Sequence, residues 1–89
     1  MSEIEQLAVP TAALNATEAA ELARIWISDG NQVVTLSPRM WNDPSAWGLM
    51  LVDLAKHVAA AYESNSGLNP EETLAKIKTA FDAEWSHPT

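Results

Sequence analysis

Residues 42–62 carry so few polar side chains that a helix over them cannot divide itself between a core face and a water face. Between Trp47 and Tyr62 the clearly polar positions are Asp53, Lys56 and His57. At about 100° per residue these three share one narrow stripe with Leu49 and Ala60. The rest of the circumference is apolar, with Trp47, Met50, Leu51, Leu54 and Val58 turned toward protein. Asp43-Pro44 opens this helix: the carboxylate accepts amide hydrogen bonds from the first turn, and proline suits the first helical position, where no donor is needed. Ser64-Asn65-Ser66-Gly67 closes it, Gly67 being free to turn left-handed. A second helix restarts at Asn69-Pro70, with Asn69 as cap and Glu72 placed as in a capping box. Its pattern is the ordinary amphipathic one. Leu74, Ile77, Phe81 and Trp85 form a single stripe, and Glu72/Lys76 and Lys78/Asp82 are charge pairs four residues apart.

A different period runs through residues 22–36. β-Branched and aromatic residues flank Asp29-Gly30, a pair suited to a two-residue type I′ turn because both central positions need positive φ. With that loop Ile27 faces Gln32, Trp26 faces Val33, Ile25 faces Val34 and Ala23 faces Leu36. One face then collects Ala23, Ile25, Ile27, Val34 and Leu36, and the other Leu22, Arg24, Trp26, Val33 and Thr35. A loop one residue longer mixes the faces, so the two-residue register is preferred. Ser37-Pro38 ends the hairpin, since proline cannot donate to a ladder.

Residues 1–21 read as an N-terminal arm. Asn15, three residues before Glu18, is a capping signal for a short helical turn, and Ile4, Leu7, Val9 and Leu14 predict that the arm lies on other protein. Residues 22–89 read as one domain. The order strand, strand, helix, helix has no crossover between the strands, which predicts an α+β fold: an antiparallel hairpin followed by two helices. A lone hairpin is marginal in water, and its second face is half apolar. Either the arm or another subunit must cover that face, and the sheet is expected to be extended or covered by oligomerisation, with Trp26, Val33 and Met50 as interface residues.

Composition narrows the function. The 89 residues hold 12 acidic against 5 basic side chains, a formal net charge of -7. So few cations cannot make the basic stripe that a polyanion requires, which argues against nucleic acid and anionic membrane as partners. No run approaches the roughly 18 apolar residues of a membrane span, and the acidic start lacks the pattern of a secretory signal. There is no cysteine, which removes disulfides, thiolate metal sites and cysteine nucleophiles and suits a reducing cytoplasm. A chain this short has little stability to spare without partner subunits.

Two groupings could carry chemistry. His57 stands one turn after Asp53, a spacing that can orient an imidazole or supply two metal ligands. No third ligand or nucleophile accompanies the pair, so a surface contact on the helix is the favoured reading. Arg39, Trp41, Trp47 and His57 could surround a small anionic or aromatic ligand, with a guanidinium and two ring faces. The plainer reading packs Arg39 on a ring at the hairpin-to-helix corner. Met40 and Met50 read as fillers of core gaps. Gly48, which costs about 1 kcal/mol against alanine inside a helix, is expected where another segment approaches closely. The isolated glycines make no phosphate loop.

The motifs R-I-W-I, D-G-N-Q-V, L-S-P-R-M-W, D-P-S-A-W-G and M-L-V-D-L-A-K-H-V-A, between Arg24 and Tyr62, resemble a small bacterial family, Domain of Unknown Function 5076. The resemblance implies a compact soluble domain and no assigned activity. The expected protein is a cytoplasmic, homo-oligomeric interaction or structural module without catalysis, cofactor or metal. The alternative is a small-molecule-binding regulatory module with its pocket near Arg39, Trp41, Trp47 and His57.

Overall fold

In a computed structural model, described over residues 3–39 and 41–88, the protein is α+β. Its elements run α1 (Thr11–Leu14), β1 (Ala23–Ser28), β2 (Asn31–Leu36), α2 (Ser45–Ser66) and α3 (Pro70–Ser86). They form two compact units, Met1–Met40 and Trp41–Thr89. The reading of Met40 as a core filler lies outside the described residues.

In the first unit β1 and β2 pair antiparallel in the expected register, with Ile27 opposite Gln32, Trp26 opposite Val33 and Ile25 opposite Val34. Asp29 (φ 50°) and Gly30 (φ 82°) both sit at positive φ, as a type I′ turn demands. The Ser37 N–H donates to the Leu22 carbonyl at 2.9 Å, which fixes the ladder's phase. Alternation along an antiparallel pair then makes Arg24–Thr35, Trp26–Val33 and Ser28–Asn31 the bonded pairs. The N–H and C=O groups of Gln32, Val34 and Leu36 consequently turn away from β1.

The arm departs from expectation in two ways. The helical turn lies before Asn15, not after it. Pro10 (φ -66°) supplies the cap position, its carbonyl accepts from Ala13 N–H and Leu14 N–H at 2.9 and 3.1 Å, and Asn15 closes the turn by donating to the Thr11 carbonyl at 3.0 Å. Proline's fixed φ thus outcompetes the side chain of Asn15 as the place to start a turn. The arm is also held to the hairpin by polar groups. Gln6 Oε1 accepts from Arg24 at 3.3 Å, and Glu21 pairs with the same guanidinium at 2.6 Å. Its apolar side chains Ile4, Leu7, Val9 and Leu14 remain exposed, Leu7 by 97%.

In the second unit α2 and α3 form a helical hairpin. Gly67, at φ 69°, ends α2 and donates to the Glu63 carbonyl at 2.9 Å. Asn69 then starts α3, its Oδ1 accepting from Glu72 N–H at 2.9 Å with Pro70 in the first turn. The helices meet at small residues: Ala59 is 3% exposed and Thr73 is buried. The Thr73 hydroxyl donates to the Asn69 carbonyl at 2.9 Å, so its burial leaves no polar group unpaired. At the other end of α2, Asp43 Oδ1 accepts from Ser45 N–H at 3.0 Å. The expected Asp43 bond to the first turn is present, but α2 begins one residue later than expected: Pro44, already at helical φ -57° and ψ -25°, stands at the cap position and not inside the helix. The Ser45 backbone donor, seconded by a hydrogen bond from the Ser45 side chain, holds the Asp43 carboxyl below its usual range. Gly48 does not mark a close approach among the described residues, where a Cβ placed on it meets no atom within 4 Å.

Candidate functional site

The residues singled out for chemistry fall in different places. Arg39 belongs to the first unit, where its backbone N–H donates to Ser37 Oγ at 3.1 Å. Trp41 and Trp47 meet in the second unit, ring centroids 5.1 Å apart and planes at 71°. This edge-to-face geometry sets the positive ring edge on the negative ring face, and it lies at the capped start of α2. His57 is ten residues beyond Trp47, about 15 Å along the helix axis. There its Nε2 stands 3.3 Å from Asp53 Oδ2, both side chains well exposed. The pair can share a proton or orient the imidazole, but water competes for both groups. Among the described residues, no cluster of three or more His, Cys, Asp or Glu side chains could hold a metal ion.

A cleft that the linear pattern did not point to lies where α2 returns into α3. It is an open cleft of about 300 Å³ lined by Tyr62, Leu68, Asn69, Glu72, Thr73, Lys76 and Ile77. Glu72 and Lys76 are one turn apart beside the Tyr62 ring, so the cleft offers one charge of each sign and an aromatic wall. Its signal in the sequence was the Gly67–Asn69 return, which folds the end of α2 back on the start of α3. A smaller hollow of about 180 Å³ in the first unit is lined by arm residues Glu5, Gln6 and Leu7 together with Glu21 and the successive β1 residues Ala23, Arg24, Ile25 and Trp26. Because consecutive strand residues point to opposite faces, this set places the arm beside β1.

The most pronounced feature is apolar surface. Among the described residues, Ala59 is the one buried hydrophobic side chain, and no large side chain is fully buried. On the hairpin, Ile25, Ile27, Val34 and Leu36 share one face and are all exposed, Ile27 by 72%. The other face holds the half-buried Leu22 and Trp26 and an exposed Val33. On α2, Leu51, Leu54 and Val58 are open beside a half-buried Met50. On α3, Phe81 and Trp85 stack at 5.5 Å with planes 21° apart, and Trp85 is 77% exposed. Their spacing of four residues brings two rings onto one helix face. Of the single apolar stripe expected on α3, Leu74 and Ile77 are half-buried and the C-terminal half is open. Soluble monomers rarely leave contiguous apolar areas of this kind uncovered.

A family model described as Domain of unknown function (DUF5076) matches residues 6–89. Among solved structures, the chain is similar to a protein from the photosynthetic bacterium Rhodopseudomonas palustrus CGA009 that is provisionally described as a pyruvate dehydrogenase. The two are 35% identical with a TM-score of 0.74, over 100% of this chain and 91% of that one. No curated protein matches. No helix among the described residues is long and apolar enough to cross a membrane.

Proposed function

The chain belongs to the Domain of unknown function (DUF5076) family, and from that premise we propose that it is a cytoplasmic homo-oligomeric interaction module, non-catalytic by itself, whose subunits supply one another's core. The observation that carries this reading is how little either unit buries by itself: among the described residues, Ala59 alone is a buried hydrophobic side chain. Ordering a residue costs roughly 1–2 kcal/mol of backbone entropy, and burial of apolar area is the main term that offsets it. Aliphatic residues on the hairpin face and on α2 are the surface that association would remove from water. A net charge of -7 opposes close approach of two copies, so their contact would run across surface free of charged side chains. Sedimentation velocity at micromolar concentration tests the proposal. An assembly of two or more chains is expected, and a compact, stable monomer would overturn it.

A further inference from the structure

We infer that two copies of this chain join through the outer edge of β2, making one four-stranded antiparallel sheet with strand order β1-β2-β2-β1. The inference rests on the homo-oligomer reading and names its interface. The hairpin has two edges, and they are unlike. The arm runs beside β1, tied to it by the Gln6–Arg24 hydrogen bond and lining a hollow with Ala23, Ile25 and Trp26. Beside β2, no backbone hydrogen bond from another described segment reaches the outward N–H and C=O groups of Gln32, Val34 and Leu36, which remain as a ready template. Natural proteins protect such edges with lysine, proline or a bulge. Asn31–Leu36 contains none of these and no charged residue at all, in a chain whose net charge is -7. A second copy of β2 is therefore the partner that meets this edge without like-charge repulsion.

The register follows from the geometry. A two-fold axis at Val34 sets Val34 against Val34 of the second copy and Gln32 against its Leu36. All the outward groups of both strands then pair, each opposed couple exchanging both of its hydrogen bonds. Gln32, Val34 and Leu36 lie on the same face as Ile25 and Ile27, so pairing in this register joins the two aliphatic faces into one continuous surface, and neither is turned over. A two-fold contact of this kind is closed: each β2 edge is used once.

The absence of cysteine makes the test clean. Directly opposed bonded residues have Cα atoms about 5.5 Å apart, inside the disulfide range of roughly 4.4–6.8 Å. Val34→Cys protein, incubated with oxidised glutathione, is expected to form an interchain disulfide at least roughly tenfold faster than Leu49→Cys protein, because pairing raises the local thiol concentration. Val34→Pro removes one outward donor without breaking a β1–β2 bond and is expected to shift the wild-type assembly to a smaller species in sedimentation. A wild type that assembles while Val34→Cys cross-links no faster than Leu49→Cys overturns the β2 edge and leaves the oligomer standing. A monomeric wild type overturns both. If Val34→Pro fails to fold, the cysteine pair decides alone.

Discussion

Replacing Leu54 by alanine distinguishes a chain that is complete from one that is part of an interface. Leu54 keeps 43% of its surface exposed in the single chain. It lies on a stripe of α2 with Trp47, Leu51 and Val58, at spacings that keep one helix face. Full burial of a leucine is worth roughly 1.5–3 kcal/mol. The part hidden within the chain then accounts for about 1 kcal/mol, and the part a partner would cover for about 1 kcal/mol more. In a two-fold dimer the position occurs twice, so the interface loses about 2 kcal/mol and Kd rises roughly 30-fold. Sedimentation equilibrium over a range of loading concentrations measures that change, and urea melts at two protein concentrations measure the rest. The control is Leu49→Ala, at a position 77% exposed on the wet stripe with Asp53 and His57, expected within about 0.5 kcal/mol of wild type. A Leu54→Ala protein that assembles as before, and whose loss of stability does not depend on concentration, refutes the assignment of this stripe to an interface.

Asn69→Ala removes the acceptor of Glu72 N–H and is expected to cost about 1 kcal/mol, read as a drop in Tm of about 4–8 °C. Asp43 gives a pH signature. Its folded pKa is lowered, so its contribution is complete above the unfolded carboxylate value of about 4 and is lost as pH falls through the folded value. Asp43→Asn keeps an acceptor at the cap and is expected to remove that acid-range component in melts followed from about pH 6 to pH 2. Gly48→Ala meets open space and is expected to raise helix stability by up to about 1 kcal/mol in urea titrations. A loss of stability at that position would mean that a partner chain packs against the glycine.

What the sequence made legible was local. The hairpin register needed only the Asp29-Gly30 turn and the period of two that followed from it, because a one-residue slip would have sent Ile25 and Val34 to different faces. The bounds of α2 and α3 needed only Asp43, Gly67 and Asn69, each of which satisfies or redirects backbone groups within a turn of itself. The start of α1 was misread because Asn15 and Pro10 offered competing signals. Proline's covalent restriction was stronger than a side-chain hydrogen bond. Gly48 was misread because the gap beside a glycine depends on what stands opposite it, which no spacing encodes. The candidate ligand residues illustrate the same limit: Trp41 and Trp47 are close enough in sequence for their contact to follow, whereas His57 is set about 15 Å along the helix by simple rise. The cleft at Tyr62 and Lys76 exists because a turn folds two segments together, so it became visible only with the turn built.

The pairings described here, β1 with β2 and α2 with α3, each join neighbours in the chain across a short turn. Such low contact order favours rapid formation, with hairpins closing in roughly 1–10 μs and helices faster. Folding of the subunit need not wait for any distant segment. If association completes the core, the slow event is the encounter of two chains, and its rate rises with concentration. Refolding by dilution should then show a fast phase independent of concentration, in which secondary structure appears, followed by a second-order phase in which the tryptophans are buried. For this protein the number of copies in the cell would set the pace of maturation as well as the amount of product.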